Sequence, residues 1–279
     1  MTANSRKDRK IRMDYTRSFI GLSRLQRSAR LYVGIPENVK QGERFPVLYM
    51  NDGQNVFADK DAFNGISWGL VSSYRNTPDL PRIIVVGLEC AEGSRRFDEY
   101  SGFFIDHPGL EVFEPKPTGM KGDIYLETII SEIKPMIDSI YPTLPDPEHT
   151  GIIGSSMGGI ISCYAALTRE DVFSRFGSLS GAFFVSELAF MRKIEQTSMA
   201  HVRRFYLSVG TNEFGVGDRE EYLRVNRTIF DTLSRKIPPE RLQFKIVEGG
   251  IHHESAWATL LPSVIRFLFS DIGTSFQLT

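Results

Sequence analysis

Thr150-Gly151-Ile152-Ile153-Gly154-Ser155-Ser156-Met157-Gly158-Gly159 passes from an apolar run through a glycine-rich turn into a helical pattern. Thr150–Ser155 reads as a buried strand, and a helix begins near Met157. The pentapeptide Gly154–Gly158 has the form G-x-S-x-G. In a strand–turn–helix setting such a serine sits on a sharp, strained turn, with its Oγ projecting above the end of the sheet. Side chains at 154 and 158 would collide with the crossing strand and helix, which is a reason for glycine at both. The alternative is a glycine-rich turn in which serine caps a helix. Which reading holds depends on the partners the rest of the chain supplies.

Outward from this stretch, strand-like runs alternate with helical patterns. Arg27–Pro36, Phe45–Met50, Arg82–Cys90, Phe176–Ser180, Phe205–Val209 and Gln243–Val247 read as further strands. Continuous apolar runs such as Ile83-Ile84-Val85-Val86 suit strands buried on both faces. Tyr125–Tyr141 repeats apolar residues at helical spacing, with Pro135 placed to kink it. Ser255–Phe269 carries a core-facing stripe through Trp257, Leu260, Leu261, Val264, Ile265 and Leu268. The expected fold is α/β, a mainly parallel sheet with helices on both faces, in a single domain over residues 1–279. Residues 91–121 break the rhythm as a long insertion with Phe97, Tyr100, Phe103, Phe104 and Phe113. It follows the carboxyl end of a strand, where open α/β sheets place ligands, so it is expected to wall a substrate pocket. The competing reading is a packing loop.

Composition narrows the function classes. The 279 residues carry a formal net charge of -1, so no global field favours nucleic acid or an anionic membrane. The basic stretch Ser5–Arg12 is short and reads as a solvated terminus. Two cysteines, Cys90 and Cys163, are too few for a disulfide framework and fit no metal pattern. The polar start lacks the apolar core of a secretion signal, and no run is long enough to span a bilayer. Cytoplasmic residence is the expectation. Asn226-Arg227-Thr228 is a chance glycosylation sequon in that setting. No nucleotide fingerprint is present, and neither cofactor nor metal is expected.

A serine nucleophile needs a base. His149 and His201 precede strands and belong at the opposite sheet edge. His107 lies in the insertion, within reach of a substrate. His252 and His253 follow the strand ending at Val247, at the same edge as Ser156, and only one of two adjacent histidines can face it. A metal reading of His252-His253-Glu254 lacks the completed H-E-x-x-H. The orienting acid belongs after the strand Phe205–Val209, where Glu213 and Asp218 compete; Asp218 looks more like a helix cap. The backbone N–H groups of Met157 and Gln54, the latter beside Gly53, are candidate oxyanion donors. Ser131-Glu132-Ile133-Lys134 matches S-x-x-K but lies in an amphipathic helix without companion motifs, so it is discounted.

Taken together, Phe45–Asn55, Arg96–Tyr100, Gly154–Gly159, Val209–Glu213 and His252–Trp257 resemble the putative-esterase branch of the α/β-hydrolases. That branch includes esterase D, enterobactin esterases, feruloyl and acetylxylan esterases and mycolyltransferases. The resemblance runs from about residue 27 to the carboxyl terminus. It implies an α/β-hydrolase fold, Ser156 as nucleophile, His252 as base and oxyanion donors at Gln54 and Met157. For the acid it favours Glu213. Asp52, Arg96, Tyr100, Phe103 and Phe104 are the candidate substrate-binding residues. The expected activity is hydrolysis of a carboxylic ester through an acyl-enzyme. Siderophore lactones, acylated sugars and thioesters are the candidate small-molecule substrates, with no nucleic-acid or membrane partner. Acyl transfer and a non-catalytic binding protein are the competing functions.

Overall fold

The computed structural model describes residues 12–272. Of the basic stretch Ser5–Arg12, all but Arg12 therefore lies outside the described residues. One eight-stranded sheet organises the chain, in the order β1-β2-β4-β3-β5-β6-β7-β8. The strands are β1 Met13–Leu22, β2 Arg27–Pro36, β3 Val47–Met50, β4 Ile84–Leu88, β5 Thr150–Ser155, β6 Arg175–Leu179, β7 Arg204–Gly210 and β8 Leu242–Val247. From β4 through β3 and on to β8 every pairing is parallel, while β1 and β2 join antiparallel. The helices are α1 Leu70–Asn76, α2 Gly93–Glu99, α3 Gly122–Thr128, α4 Lys134–Ile140, α5 Met157–Thr168, α6 Glu187–Gln196, α7 Arg219–Ser234 and α8 Glu254–Leu268.

The parallel strands are buried for the reason their sequences suggest. Ile84, Val85 and Val86 in β4 and Ile152 and Ile153 in β5 are fully enclosed, with apolar side chains leaving both faces of the sheet. Two apolar layers result. One holds Ile152, Phe176, Leu207 and the α5 residues Ile160 and Ile161. The other holds Leu48, Val85, Ile153 and the stripe of α8 from Trp257 to Leu268. From Met157 to Leu167, α5 is buried at every residue, as expected of a helix apolar all round.

One strand joins those expected, and two local expectations change. Strand β1 carries no apolar alternation because it is a half-solvated edge; its order comes from ten paired positions with β2, Met13 against Pro36 through Leu22 against Arg27. The helix expected over Tyr125–Tyr141 is split by a π turn at Ile129–Ile133. Pro135 follows directly; it has no N–H to donate and its ring crowds the preceding turn, so the wider turn absorbs the misfit. The insertion is more regular than expected, containing α2 and a short bridge between Phe104 and Gly119. Among the described residues no helix is long and apolar enough to cross a membrane.

Candidate active site

The turn from β5 into α5 holds Ser156 at φ 57° and ψ -124°. A non-glycine residue in this region costs on the order of 1–3 kcal/mol and persists only where its surroundings fix it. Here the Ser156 N–H donates to Leu179 O at 2.9 Å, while its carbonyl accepts from Gly159, Ile160 and Ala182 N–H. Gly154 is a steric necessity, and Gly158 leaves little room for a side chain. A Cβ on Gly154 would stand 2.6 Å from Gly158 O, and one on Gly158 would stand 3.0 Å from Asp52 Oδ2.

His252 stands in the loop between β8 and α8 and faces the same cleft as Ser156. Its Nδ1 lies 2.7 Å from Glu213 Oε2. A carboxylate can only accept, so Nδ1 carries the hydrogen and Nε2 keeps its lone pair. The ring is fixed by Tyr222, 4.7 Å away between centroids, and by the edge of Trp257 at 5.1 Å. Adjacent His253 is instead the N-cap of α8, where its Nδ1 accepts from Ser255 N–H.

Glu213 is 1% exposed. Its Oε1 accepts from Ser180 Oγ at 2.5 Å and from the Gly210 N–H at 2.7 Å, so Oε2 is directed at the histidine. Trp257 Nε1 donates to Ser180 Oγ at 2.9 Å, extending the chain of bonds. Asp218 caps α7, accepting from the Glu220 and Glu221 N–H groups while Glu221 accepts in return from the Asp218 N–H. Its carboxylate is thus committed to a capping box.

Asn51–Asn55 is pinned from several sides. Asn51 Nδ2 donates to Gly158 O and Ser162 Oγ, and Asn51 Oδ1 accepts from Tyr125 Oη at 2.7 Å. Asp52 takes a two-pronged contact from Arg96, at 2.6 and 2.9 Å. A Cβ on Gly53 would meet the Gly87 carbonyl carbon at 2.3 Å, so glycine lets this loop lie on β4. Gln54 grips Cys90 with both side-chain ends. Gln54 lies in the first turn of a short 3-10 helix and Met157 opens α5, so neither N–H has an acceptor within its own helix.

These groups meet at an open cleft of about 790 Å³. Asp52 and Arg96 line it, together with Phe97 and Phe113, which pack on each other at 4.7 Å. The other three expected substrate-binding residues lie elsewhere. Tyr100 is fully buried behind Asp52, accepting its N–H at 3.0 Å. Phe103 is half-buried, packing edge-on against Tyr164 and Phe190 at the margin of the core, and Phe104 points to solvent. Spacing within an irregular segment carries no facing information, so the five aromatics could not be sorted in advance. His107 also turns away from the cleft, between Glu221 and Phe184.

Sequence reasoning missed Ser180, Tyr222 and the role of Trp257. The Tyr222 phenol oxygen lies 3.5 Å from His252 Nε2. Burial first, and then Glu213, push its pKa up, so the phenol stays protonated. Cys90 is a half-buried free thiol. It lies on the cleft wall, with burial and then Asp52 pushing its pKa up to about 12.

The strand order, the serine turn and the cleft at the carboxyl ends of the strands define an α/β-hydrolase. The chain belongs to the family described as "Putative esterase", whose model matches residues 23–268. It is therefore a carboxylic ester hydrolase. The uncharacterized protein YbbA of Bacillus subtilis is 24% identical over 229 residues, covering 81% of this chain and 86% of that one. The enterobactin esterase FES from Shigella flexneri, solved in the presence of enterobactin, superposes with a TM-score of 0.73 at 19% identity over 93% of this chain. The chain spans about 60% of the length of that esterase. An IroE-like serine hydrolase from Shewanella oneidensis gives a TM-score of 0.73 at 21% identity, covering 93% of this chain and 81% of that one.

Proposed function

We propose that Ser156, His252 and Glu213 hydrolyse a carboxylic ester through an acyl-enzyme. The observation that carries this reading is the 2.7 Å contact of Glu213 Oε2 with His252 Nδ1 in the cleft that also holds the strained Ser156. In the first half-reaction Ser156 Oγ attacks the ester carbonyl and its proton passes to His252 Nε2. Glu213 holds the ring and offsets the positive charge. The carbonyl oxygen becomes an oxyanion, stabilised by the N–H groups of Gln54 and Met157. The tetrahedral adduct collapses, and the alcohol leaves with the proton from Nε2. Water then repeats the sequence on the acyl-serine and regenerates the enzyme. Residues 91–121 supply part of the substrate wall through Glu92, Arg96, Phe97 and Phe113.

A fluorophosphonate probe tests the reading, because it is attacked only by an activated serine. Labelling at Ser156, lost in Ser156→Ala and in His252→Ala, is the expected result. An unlabelled, correctly folded parent protein would reject it.

A further inference from the structure

The charges of the cleft narrow the substrate class, on the footing of the ester-hydrolase reading above. Five carboxylates line it: Asp52, Asp61, Glu89, Glu92 and Glu254. Arg30 and Arg96 are the only arginines or lysines among the lining residues. Neither is free to receive an anion. Arg96 is held by Asp52 at 2.6 Å, and Arg30 lies 3.0 Å from Glu89. Asp61 is answered from β1 by Arg17 at 2.5 Å and Tyr15 at 2.6 Å. That leaves Glu254, which accepts the neutral amide of Asn55 at 3.0 Å and has His253 Nε2 no nearer than 4.0 Å, and Glu92, at the start of α2 with no ion-pair partner among the described residues.

A cleft with low-dielectric walls concentrates the field of such unbalanced groups. A carboxylate or phosphate on the substrate would meet it as repulsion. Among the lining arginines it could gain a partner only by breaking the Arg96–Asp52 or Arg30–Glu89 pair. Hydroxyl, amide and ammonium groups can instead donate to the carboxylates. The rings of Phe97 and Phe113, with exposed Phe63 at the rim, offer faces that attract positive charge. We propose that the cleft selects neutral or cationic esters and discriminates against anionic ones.

Three aryl acetates test this, alike except for a para carboxamide, trimethylammonium or carboxylate group. Each kcat/KM is divided by the rate of cleavage by imidazole, an uncharged nucleophile, to remove leaving-group differences. At low salt the carboxylate ester should fall about tenfold or more below the carboxamide, as expected for one unscreened charge contact in a cleft. The trimethylammonium ester should equal or exceed the carboxamide. Added salt should narrow the gap, and Glu92→Lys should narrow or invert it. Turnover of the carboxylate ester at or above the carboxamide rate would overturn the selectivity while leaving the esterase reading intact, provided that Ser156→Ala abolishes it. No turnover of any of the three, with no fluorophosphonate labelling, would overturn both.

Discussion

Ser180 Oγ donates to Glu213 Oε1 at 2.5 Å, from a residue whose own backbone is held at φ 51°. The bond occupies one carboxylate oxygen and aims the other at His252. Trp257 in turn donates to Ser180, tying the first turns of α8 to the end of β6 across the site. Ser180→Ala should lower kcat by roughly 10- to 100-fold with little change in KM, equivalent to a charge-assisted bond of about 1.5–3 kcal/mol. Trp257→Phe, which keeps a ring beside His252 but removes the donor, should show a smaller fall of the same kind. A change confined to KM in both variants would mean that the chain of bonds does not orient the acid.

Glu213→Gln should cost on the order of 10³–10⁴ in kcat, as in triads whose acid is replaced by its amide. Asp218→Ala should leave kcat near the parent value and cost about 1 kcal/mol of stability through loss of the α7 cap. Steady-state kinetics and thermal melts of the two variants check the pair. An inactive, stable Asp218→Ala protein would contradict the assignment.

Phe113→Ala and Phe103→Ala should separate specificity from stability. Phe113 lines the cleft, and its loss should change the ranking of acyl and alcohol groups by about 1–3 kcal/mol. Phe103 packs on Tyr164 and Phe190, and its truncation should lower the melting temperature and leave the ranking intact. A panel of esters read as kcat/KM, with melts in parallel, makes the comparison.

Cys90 should resist alkylation despite its place on the cleft wall. With its pKa pushed up to about 12, the thiol stays protonated at pH 7.5, and only the thiolate is nucleophilic. Reactivity should appear only as the pH approaches 12 or when the protein unfolds. Iodoacetamide labelling of native and denatured protein, followed by peptide mass analysis, reads this directly. Rapid native labelling at pH 7.5 would show that the thiol's pKa is not raised as described.

Gly158→Ala should destabilise the protein or prevent folding, because the added Cβ would press on Asp52 Oδ2 at 3.0 Å and Asn51 Cβ at 3.1 Å. Overpacking of this kind typically costs about 1–3 kcal/mol. Gly249, at φ 69° with open space around its Cβ position, makes a control in which only backbone strain is added. Denaturant midpoints of the two alanine variants should rank Gly158→Ala as the more harmful.

Local sequence determined the parts of this protein that depend on periodicity and on glycine. The apolar run at the centre of β5 marked that strand, which is buried at every position. The glycines around Ser156 marked the sharp turn because nothing larger fits there. The chain order of serine, carboxylate and histidine was visible too. It left Glu213 and Asp218, and His252 and His253, to be separated by fold or by family resemblance.

Only the tertiary structure decided which side chains meet. Glu213 reaches His252 because β7 and β8 are adjacent and parallel, which brings the loops after both strands to one edge. The same arrangement leaves Asp218 further along the loop, where free N–H groups at the start of α7 claim it. Strand β1 exists through pairing with β2 rather than through any pattern of its own. Ser180, just past β6, and Tyr222, in α7, join the site through tertiary packing. A serine or a tyrosine carries no local sign of the partner it will find, because hydrogen-bond partners depend on distances that the chain fixes only when it folds.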